Sequence, residues 1–197
     1  MAGGAVILAG YRWSIESPRL HYPEAELWAQ SNCIRNWDWA LHDWSRWFDV
    51  HTEGPQAGYA GIRLLRPDVL AWYEKQGPER PIYTADRIPS VRASVAYPRE
   101  AMVAQFGAGR FGCQLDYMMA LALSEGFSRI IFSGVGAPYV TATTEAEIAQ
   151  RRKWWERHAS VLYWMGRAED RGVELVYDGP CMNRPFDGQY GYDMGPH

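Results

Sequence analysis

The sequence predicts an α/β protein in which a mainly parallel sheet lies between two layers of helices. The strongest observation is the segment 111–136, which reads as a loop, a helix, a glycine stop, a buried strand and a glycine turn. Its apolar run 115–123 suits a buried helix, Gly126 supplies the C-terminal stop, and 129–132 is a short β-branched strand. The same order of strand, loop and helix recurs along the chain, which favours parallel pairing. Together these features predict a Rossmann-like three-layer α/β/α sandwich.

The other elements follow from periodicity and from helix start and stop signals. Pro98 favours the start of a helix, because proline is well tolerated in the first helical turn. Gly172 predicts the end of a long charged helix. In chain order, these elements are a strand over 6–9, a short element over 24–31, a strand over 44–51, a helix over 64–73, a strand over 81–84, helices over 98–106 and 145–171, and a strand over 173–177. We expect one domain over 1–180 and a Gly- and Tyr-rich extension over 181–197.

The composition excludes several classes of protein. A net charge of −3 and a pI near 6.0 argue against a protein that coats nucleic acid, so any contact with phosphates must be local. The three cysteines have no CxxC or Cys/His spacing, so we expect no disulfide framework, no zinc site and a reducing cytoplasm. The apolar run 5–9 is too short for a signal peptide, and no run approaches the roughly 20 apolar residues that cross a bilayer.

Aromatic residues are abundant, with ten tryptophans, six of which lie between Trp13 and Trp47. Core and rim packing explains such a cluster, because aromatic side chains carry large buried areas. A stacking surface for bases or sugars is the alternative. Both interpretations stay open, for different rings.

The predicted binding site lies beyond the carboxyl ends of the strands. Ligands of open α/β sheets bind there, so the turn at Gly134 and the helix start near Gly112 are the places to search. Backbone N–H groups at a helix N-terminus bind anions, which makes Gly112, Cys113 and Gln114 predicted phosphate neighbours. The same positive helix end explains Asp116, and we expect Cys113 to pack rather than act as a nucleophile.

Three titratable side chains are candidates for proton transfer. Asp49 and His51 lie two residues apart in a predicted strand, so they share one face at its end. His51 is then a candidate base, with a structural hydrogen-bonding role as the alternative. His158 on the long helix is a second candidate, with a surface or half-buried position as its alternative. The basic run that includes Arg152 reads as a solvated helix face, from which Arg152 could reach a phosphate across the cleft.

Several segments taken together resemble a known group of proteins. They are the first strand with Gly10, the loop at Asn32, the strand and turn 46–51, the helix start 114–118, and the strand and turn 131–134. In this order they resemble small phage-encoded Rossmann-like proteins. They are also similar to the nucleotide-binding core of bacterial sialyltransferases that use CMP-activated sugars, and to the methanopterin pyrophosphokinase-type domain. The resemblance spans most of the chain and implies a nucleotide or nucleotide-sugar ligand without a metal-binding Asp-x-Asp motif.

The resemblance also implies roles for individual residues. Asn32 stands where the sialyltransferases place an asparagine against the nucleotide, and Gln114 stands where they place a phosphate-facing serine. Tyr139 follows the glycine turn as their phosphate-binding tyrosines do, and His158 lies roughly where their catalytic histidine is found.

At the first loop the chain departs from these families. Residues 10–14, which include Tyr11 and Ser14, replace their Gly-x-Gly-Pro-Ser pattern with a bulkier sequence that narrows the pocket or changes the ligand. Donor phosphates are still expected against the loops at Gly10 and Gly112, with the base near Asn32.

The function expected from these observations is that of a nucleotide-sugar-dependent glycosyltransferase-like enzyme of phage origin. It would use no cofactor beyond the donor substrate and would work in the host cytoplasm, without membrane contact. A modified DNA base is the acceptor that this context suggests. The alternative is a phage protein that binds and sequesters a nucleotide or a nucleotide-derived signal without chemistry. The sequence leaves open whether the chain forms a homo-oligomer.

Overall fold

The computed structural model of the chain contains a sheet of seven parallel strands within the part it describes. The structure describes residues 3–10, 16–31, 33–35, 38–50, 67–135 and 145–179, with the backbone alone at 35 and 145–156. The strands are β1 (Ala5–Ala9), β2 (Glu26–Gln30), β3 (Arg46–Asp49), β4 (Ile82–Thr84), β5 (Ser94–Ala96), β6 (Arg129–Ser133) and β7 (Glu174–Asp178). The α-helices are α1 (Pro67–Glu74), α2 (Arg99–Phe106), α3 (Gln114–Glu125) and α4 (Glu145–Glu169). Across the sheet the strands follow the order β5-β4-β3-β2-β1-β6-β7.

The chain covers both faces of this sheet. One face, which includes Val6 and Ile130, packs against α2, α3 and α4. The other face, which includes Ile7 and Ile131, packs against α1 and the segment 38–44. Neighbouring residues of one strand therefore enter different cores, so the central strands β1 and β6 carry continuous apolar runs rather than an alternating pattern, as buried parallel strands usually do. The predicted α/β/α arrangement around a parallel sheet is confirmed.

Most predicted elements are present with shifted ends. The helix α3 ends where the sequence predicts, because Gly126 adopts a left-handed φ of 80° and its N–H bonds back to the last turn. The strand predicted over 44–51 is the shorter β3 within the described residues. The sequence does not predict β5, since its three residues carry no apolar run and lie at the sheet edge. The extension over 181–197 lies outside the described residues.

Packing accounts for four of the six clustered tryptophans. These four side chains are buried, namely Trp28, Trp39, Trp44 and Trp47. The other two, Trp13 and Trp37, lie outside the described residues, so a stacking role for them stays a prediction. Among the helices that the structure describes, none has the length and hydropathy of a membrane-spanning segment.

Candidate functional site

The sheet has a topological switch point between β1 and β6. The chain leaves β1 towards β2 over the face that packs against α1, whereas it leaves β6 towards β7 through α4 on the opposite face. The described parts of the two connections therefore lie on opposite faces of the sheet, and the carboxyl ends of the strands at such a switch point are where open α/β sheets bind ligands. Of the predicted ligand-binding residues, Gly10 follows β1 and Gly134 follows β6, so the structure brings these two together.

The backbones at the switch point are in close contact. The Gly10 N–H donates to the Ser133 carbonyl oxygen at 2.7 Å. A Cβ at Gly10 would overlap the Gly134 carbonyl oxygen and would lie 2.9 Å from the Cα of Val135. Gly134 itself has a φ of 64°, a left-handed conformation that glycine adopts without strain. Two glycines are thus required here by the backbone, and neither presents a side chain at the carboxyl edge of the sheet.

A polar cluster lies at the carboxyl ends of β6 and β7, directly beside these glycines. Ser133 Oγ donates to Asp178 Oδ2 at 2.9 Å, and His21 Nδ1 lies 3.3 Å from Asp178 Oδ1. The Ser133 and Asp178 side chains are largely buried, while the His21 side chain is 64% exposed. We call these three residues the carboxyl-edge cluster. It offers a serine, a carboxylate and a solvent-facing imidazole at the switch point.

The N-terminus of α3 is capped by its own carboxylate. Asp116 Oδ2 accepts from the Gly112 N–H at 2.7 Å and from the Cys113 N–H at 2.8 Å. This confirms that the positive helix end explains Asp116. The two amides already have a negatively charged acceptor, so a phosphate at this helix end would have to displace it. Phosphate binding by Gly112 and Cys113 stays a prediction.

Asp116 also joins α3 to α4 inside the protein. Its side chain is fully buried, and the same Oδ2 accepts from Ser160 Oγ at 2.7 Å. The other oxygen, Oδ1, is buried without a hydrogen-bond partner among the described residues. Burial raises the pKa of Asp116 to about 6, against the opposing effect of its hydrogen bonds from Ser160, Cys113 and Gly112. Trp164 Nε1 donates to the Arg110 carbonyl oxygen at 2.6 Å, which fixes the preceding loop against α4.

Gln114 connects the start of α3 to the ends of two strands. Its Nε2 donates to the Phe48 carbonyl oxygen, and its Oε1 is 3.5 Å from the hydroxyl of Ser31. The Ser31 N–H in turn donates to the Phe48 carbonyl oxygen at 2.9 Å. The Gln114 amide is therefore used in bracing the helix against the sheet. Its predicted role beside a phosphate is not tested by these contacts.

Asp49 lies at the carboxyl end of β3 but inside the protein. It is 2% exposed and accepts from the Tyr73 hydroxyl at 2.7 Å, and the Trp47 Nε1 donates to that same hydroxyl at 2.9 Å. These contacts tie the strand to α1. His51, its predicted partner, lies outside the described residues, so their shared face stays a prediction.

Two cysteines flank the switch point and the start of α3. Cys33 packs under the end of β1, with Sγ 3.6 Å from the Gly10 carbonyl oxygen, and burial raises the pKa of its thiol to about 12. Burial, followed by the negative charge of Asp116, raises the pKa of Cys113 well above its ordinary value. A thiolate is the reactive form, so both environments fit packing rather than nucleophilic chemistry. The interpretation of Cys113 as a packing residue agrees with this finding.

The other predicted site residues lie on α4 or outside the described residues. His158 is half-buried on α4, two residues before Ser160, and is not part of the carboxyl-edge cluster as defined above. Arg152 is part of α4, where the backbone alone is described. Four others lie outside the described residues, namely Tyr11, Ser14, Asn32 and Tyr139. Across the described ranges, no group of three or more His, Cys, Asp and Glu side chains is arranged as a metal site.

The carboxyl-edge cluster was not among the residues that the sequence predicted for the site. Its histidine and carboxylate are 157 positions apart, so no local motif joins them. One signal was available, because Asp178 directly follows the last predicted apolar strand and polar residues at strand ends favour a site. His21 had no such signal. Comparison of the chain with protein-family models, with curated proteins and with solved structures gave no match.

Proposed function

We propose that the chain binds a nucleotide, carried as a nucleotide-sugar, at the carboxyl ends of β1 and β6, and that it transfers the sugar. The observation that carries the binding proposal is the contact between the backbones of Gly10 and Gly134 at the switch point. Ligands of open α/β sheets bind at such positions, and glycine lets a ligand approach the backbone closely because it carries no side chain. The transfer step rests on the resemblance to CMP-sugar sialyltransferases. A modified DNA base remains the acceptor proposed with it.

Capture without chemistry is the second candidate, and one observation favours it. A transferase must stabilise the charge that develops on the departing phosphate, usually with backbone or side-chain donors. The Gly112 and Cys113 amides at the start of α3 already donate to Asp116. A protein that only retains a nucleotide needs no such free donors.

The first experiment identifies the ligand. Purified protein is denatured and the released small molecules are analysed by mass spectrometry. Nucleoside monophosphates, nucleoside diphosphates and their sugar conjugates are then added in a thermal-shift titration, because a ligand that binds the native state raises the Tm by mass action. Release of free nucleotide from a sugar donor during incubation supports transfer, and retention of an intact nucleotide supports capture.

A matched pair of glycine variants locates the site. Gly10→Ala places a methyl group against the Gly134 carbonyl, whereas Gly166→Ala on α4 meets no heavy atom within 4 Å. We expect the ligand-induced rise in Tm to disappear in the first variant and to persist in the second. The readout is the rise caused by the ligand, so a lower starting Tm of Gly10→Ala does not confuse the result. Equal ligand-induced shifts in both variants would place the ligand elsewhere.

A further inference from the structure

We propose that His21, held by Asp178, is the proton-accepting group of the ligand site at the carboxyl ends of β1 and β6. The proposal rests on the proposed function, since it assigns a residue to the same site. It concerns a histidine that neither motif nor resemblance indicated, and it is carried by the contacts of the carboxyl-edge cluster.

The cluster is continuous with the switch point through one residue. Ser133 accepts the Gly10 N–H at its carbonyl oxygen and donates from its hydroxyl to Asp178. Asp178 then reaches His21 with its other oxygen. The imidazole is therefore linked by three successive hydrogen bonds to the backbone at the predicted ligand position. A ligand against Gly10 and Gly134 would lie next to this cluster.

The hydrogen bonds also determine which ring nitrogen is available. An ionised carboxylate only accepts, so the Nδ1 of His21 must carry the proton that Asp178 accepts. A neutral imidazole with the proton on Nδ1 has its lone pair on Nε2, which is the basic position. The ring is 64% exposed and packs edge-on against Tyr22 at 6.3 Å. Asp178 thus positions His21, and Ser133 positions Asp178.

The negative charge of Asp178 acts on its surroundings. Burial, then the charge of Asp178, raises the pKa of the neighbouring Tyr22 hydroxyl. The other two described histidines belong to other parts of the fold. His42 is exposed just before β3, at the amino ends of the strands, and His158 lies on α4.

In the transfer step, His21 takes the proton that the acceptor hydroxyl loses. The acceptor hydroxyl oxygen forms a bond to the anomeric carbon of the nucleotide-sugar, and the bond from that carbon to the phosphate oxygen breaks. The electron pair of the broken bond leaves on the nucleotide, and the proton of the acceptor hydroxyl passes to Nε2 of His21. Water as the acceptor gives the free sugar and the same nucleotide.

Chemical modification tests whether His21 touches the ligand. Diethyl pyrocarbonate acylates accessible neutral imidazoles, and peptide mass spectrometry reports the rate at each histidine. The probe is the nucleotide-sugar that gives the largest rise in Tm, drawn from CMP-, UDP- and GDP-sugars. We expect this probe to slow modification of His21 at least about tenfold while His42, exposed at the opposite edge, reacts at an unchanged rate.

Kinetics on three variants test the chemical role. We expect His21→Gln to lower the kcat for nucleotide release by about 100-fold to 10,000-fold, with the donor KM within about twofold. Asp178→Asn should also lower kcat at unchanged KM, because an amide in place of the carboxylate no longer holds the required tautomer. The control is Glu174→Gln at the other end of β7, where the side chain pairs with Arg129 at 2.7 Å. It should leave kcat and KM unchanged.

The outcomes separate this inference from the proposed function. Protection of His21 together with the loss of kcat in both variants supports the inference. A rise in Tm without protection of His21 overturns it and leaves nucleotide binding intact. Protection without any turnover by the unaltered protein overturns the proton-accepting role and favours capture. If no nucleotide or nucleotide-sugar raises the Tm, the proposed function fails and the inference falls with it.

Discussion

The buried carboxyl group of Asp116 makes the stability of this protein depend on pH in a definite direction. The side chain is fully buried, and burial raises its pKa from the ordinary 3.8 to about 6. Below pH 3.8 the folded and unfolded chains both hold the proton. Between pH 3.8 and 6 the folded chain holds it and the unfolded chain does not, so stability falls as the pH rises. Above pH 6 the loss is complete.

The magnitude follows from the same pKa values. A rise from 3.8 to about 6 corresponds to about 3 kcal/mol in the free energy of unfolding. Asp116→Asn removes the titration and keeps the shape of the side chain, with one oxygen left to accept from the Gly112 or Cys113 N–H. Between pH 3.8 and pH 7, we therefore expect the free energy of unfolding to fall by about 3 kcal/mol more in the unaltered protein than in the variant.

Urea unfolding at a series of pH values measures this difference. The comparison of the two proteins cancels the contributions of all other titrating groups. Asp86→Asn, on an exposed side chain, is the control and should follow the unaltered protein at every pH. Parallel pH profiles for Asp116→Asn and the unaltered protein would refute the reasoning. A difference of opposite sign would show that the hydrogen bonds to Asp116 outweigh its burial.

Three further predictions concern stability and reactivity. Tyr73→Phe removes the hydroxyl that lies 2.9 Å from Trp47 Nε1 and 2.7 Å from Asp49 Oδ2. The free energy of unfolding, measured in urea, should fall by about 1–3 kcal/mol because buried hydrogen bonds are lost. An unchanged unfolding midpoint would contradict this. Burial raises the pKa of the Cys33 thiol to about 12, so Ellman's reagent at pH 8 should leave Cys33 unlabelled in the native protein and label it in urea. Rapid labelling of Cys33 in the native protein, seen in peptide maps, would argue against its burial. The Arg46 side chain, which is 18% exposed, donates to Glu26 at 2.9 Å and to Glu125 at 2.6 Å, and Arg46→Met removes both hydrogen bonds. The free energy of unfolding should therefore fall by about 1 kcal/mol. An unchanged free energy of unfolding would contradict this.

Local sequence signals predicted the elements more completely than the site. The helix α3 was readable because its apolar run, its capping carboxylate Asp116 and its stop at Gly126 all lie within one short segment. Gly10 and Gly134 were identified because each follows a buried strand, and strand ends of one sheet meet at one edge. The sequence could not show that the Gly112 amide is already bonded to Asp116, since this depends on the side-chain rotamer.

The sequence by itself determined the fold class of this protein. Continuous apolar strands, glycine stops and helix caps are local properties, and each restricts the backbone of the few residues around it. Only the tertiary structure decided the strand order and, with it, the place of the switch point between β1 and β6. It also brought His21 to Asp178 and Ser160 to Asp116, pairs separated by 157 and 44 positions. Contacts at such separations form only when distant strands and helices pack, so no local pattern encodes them.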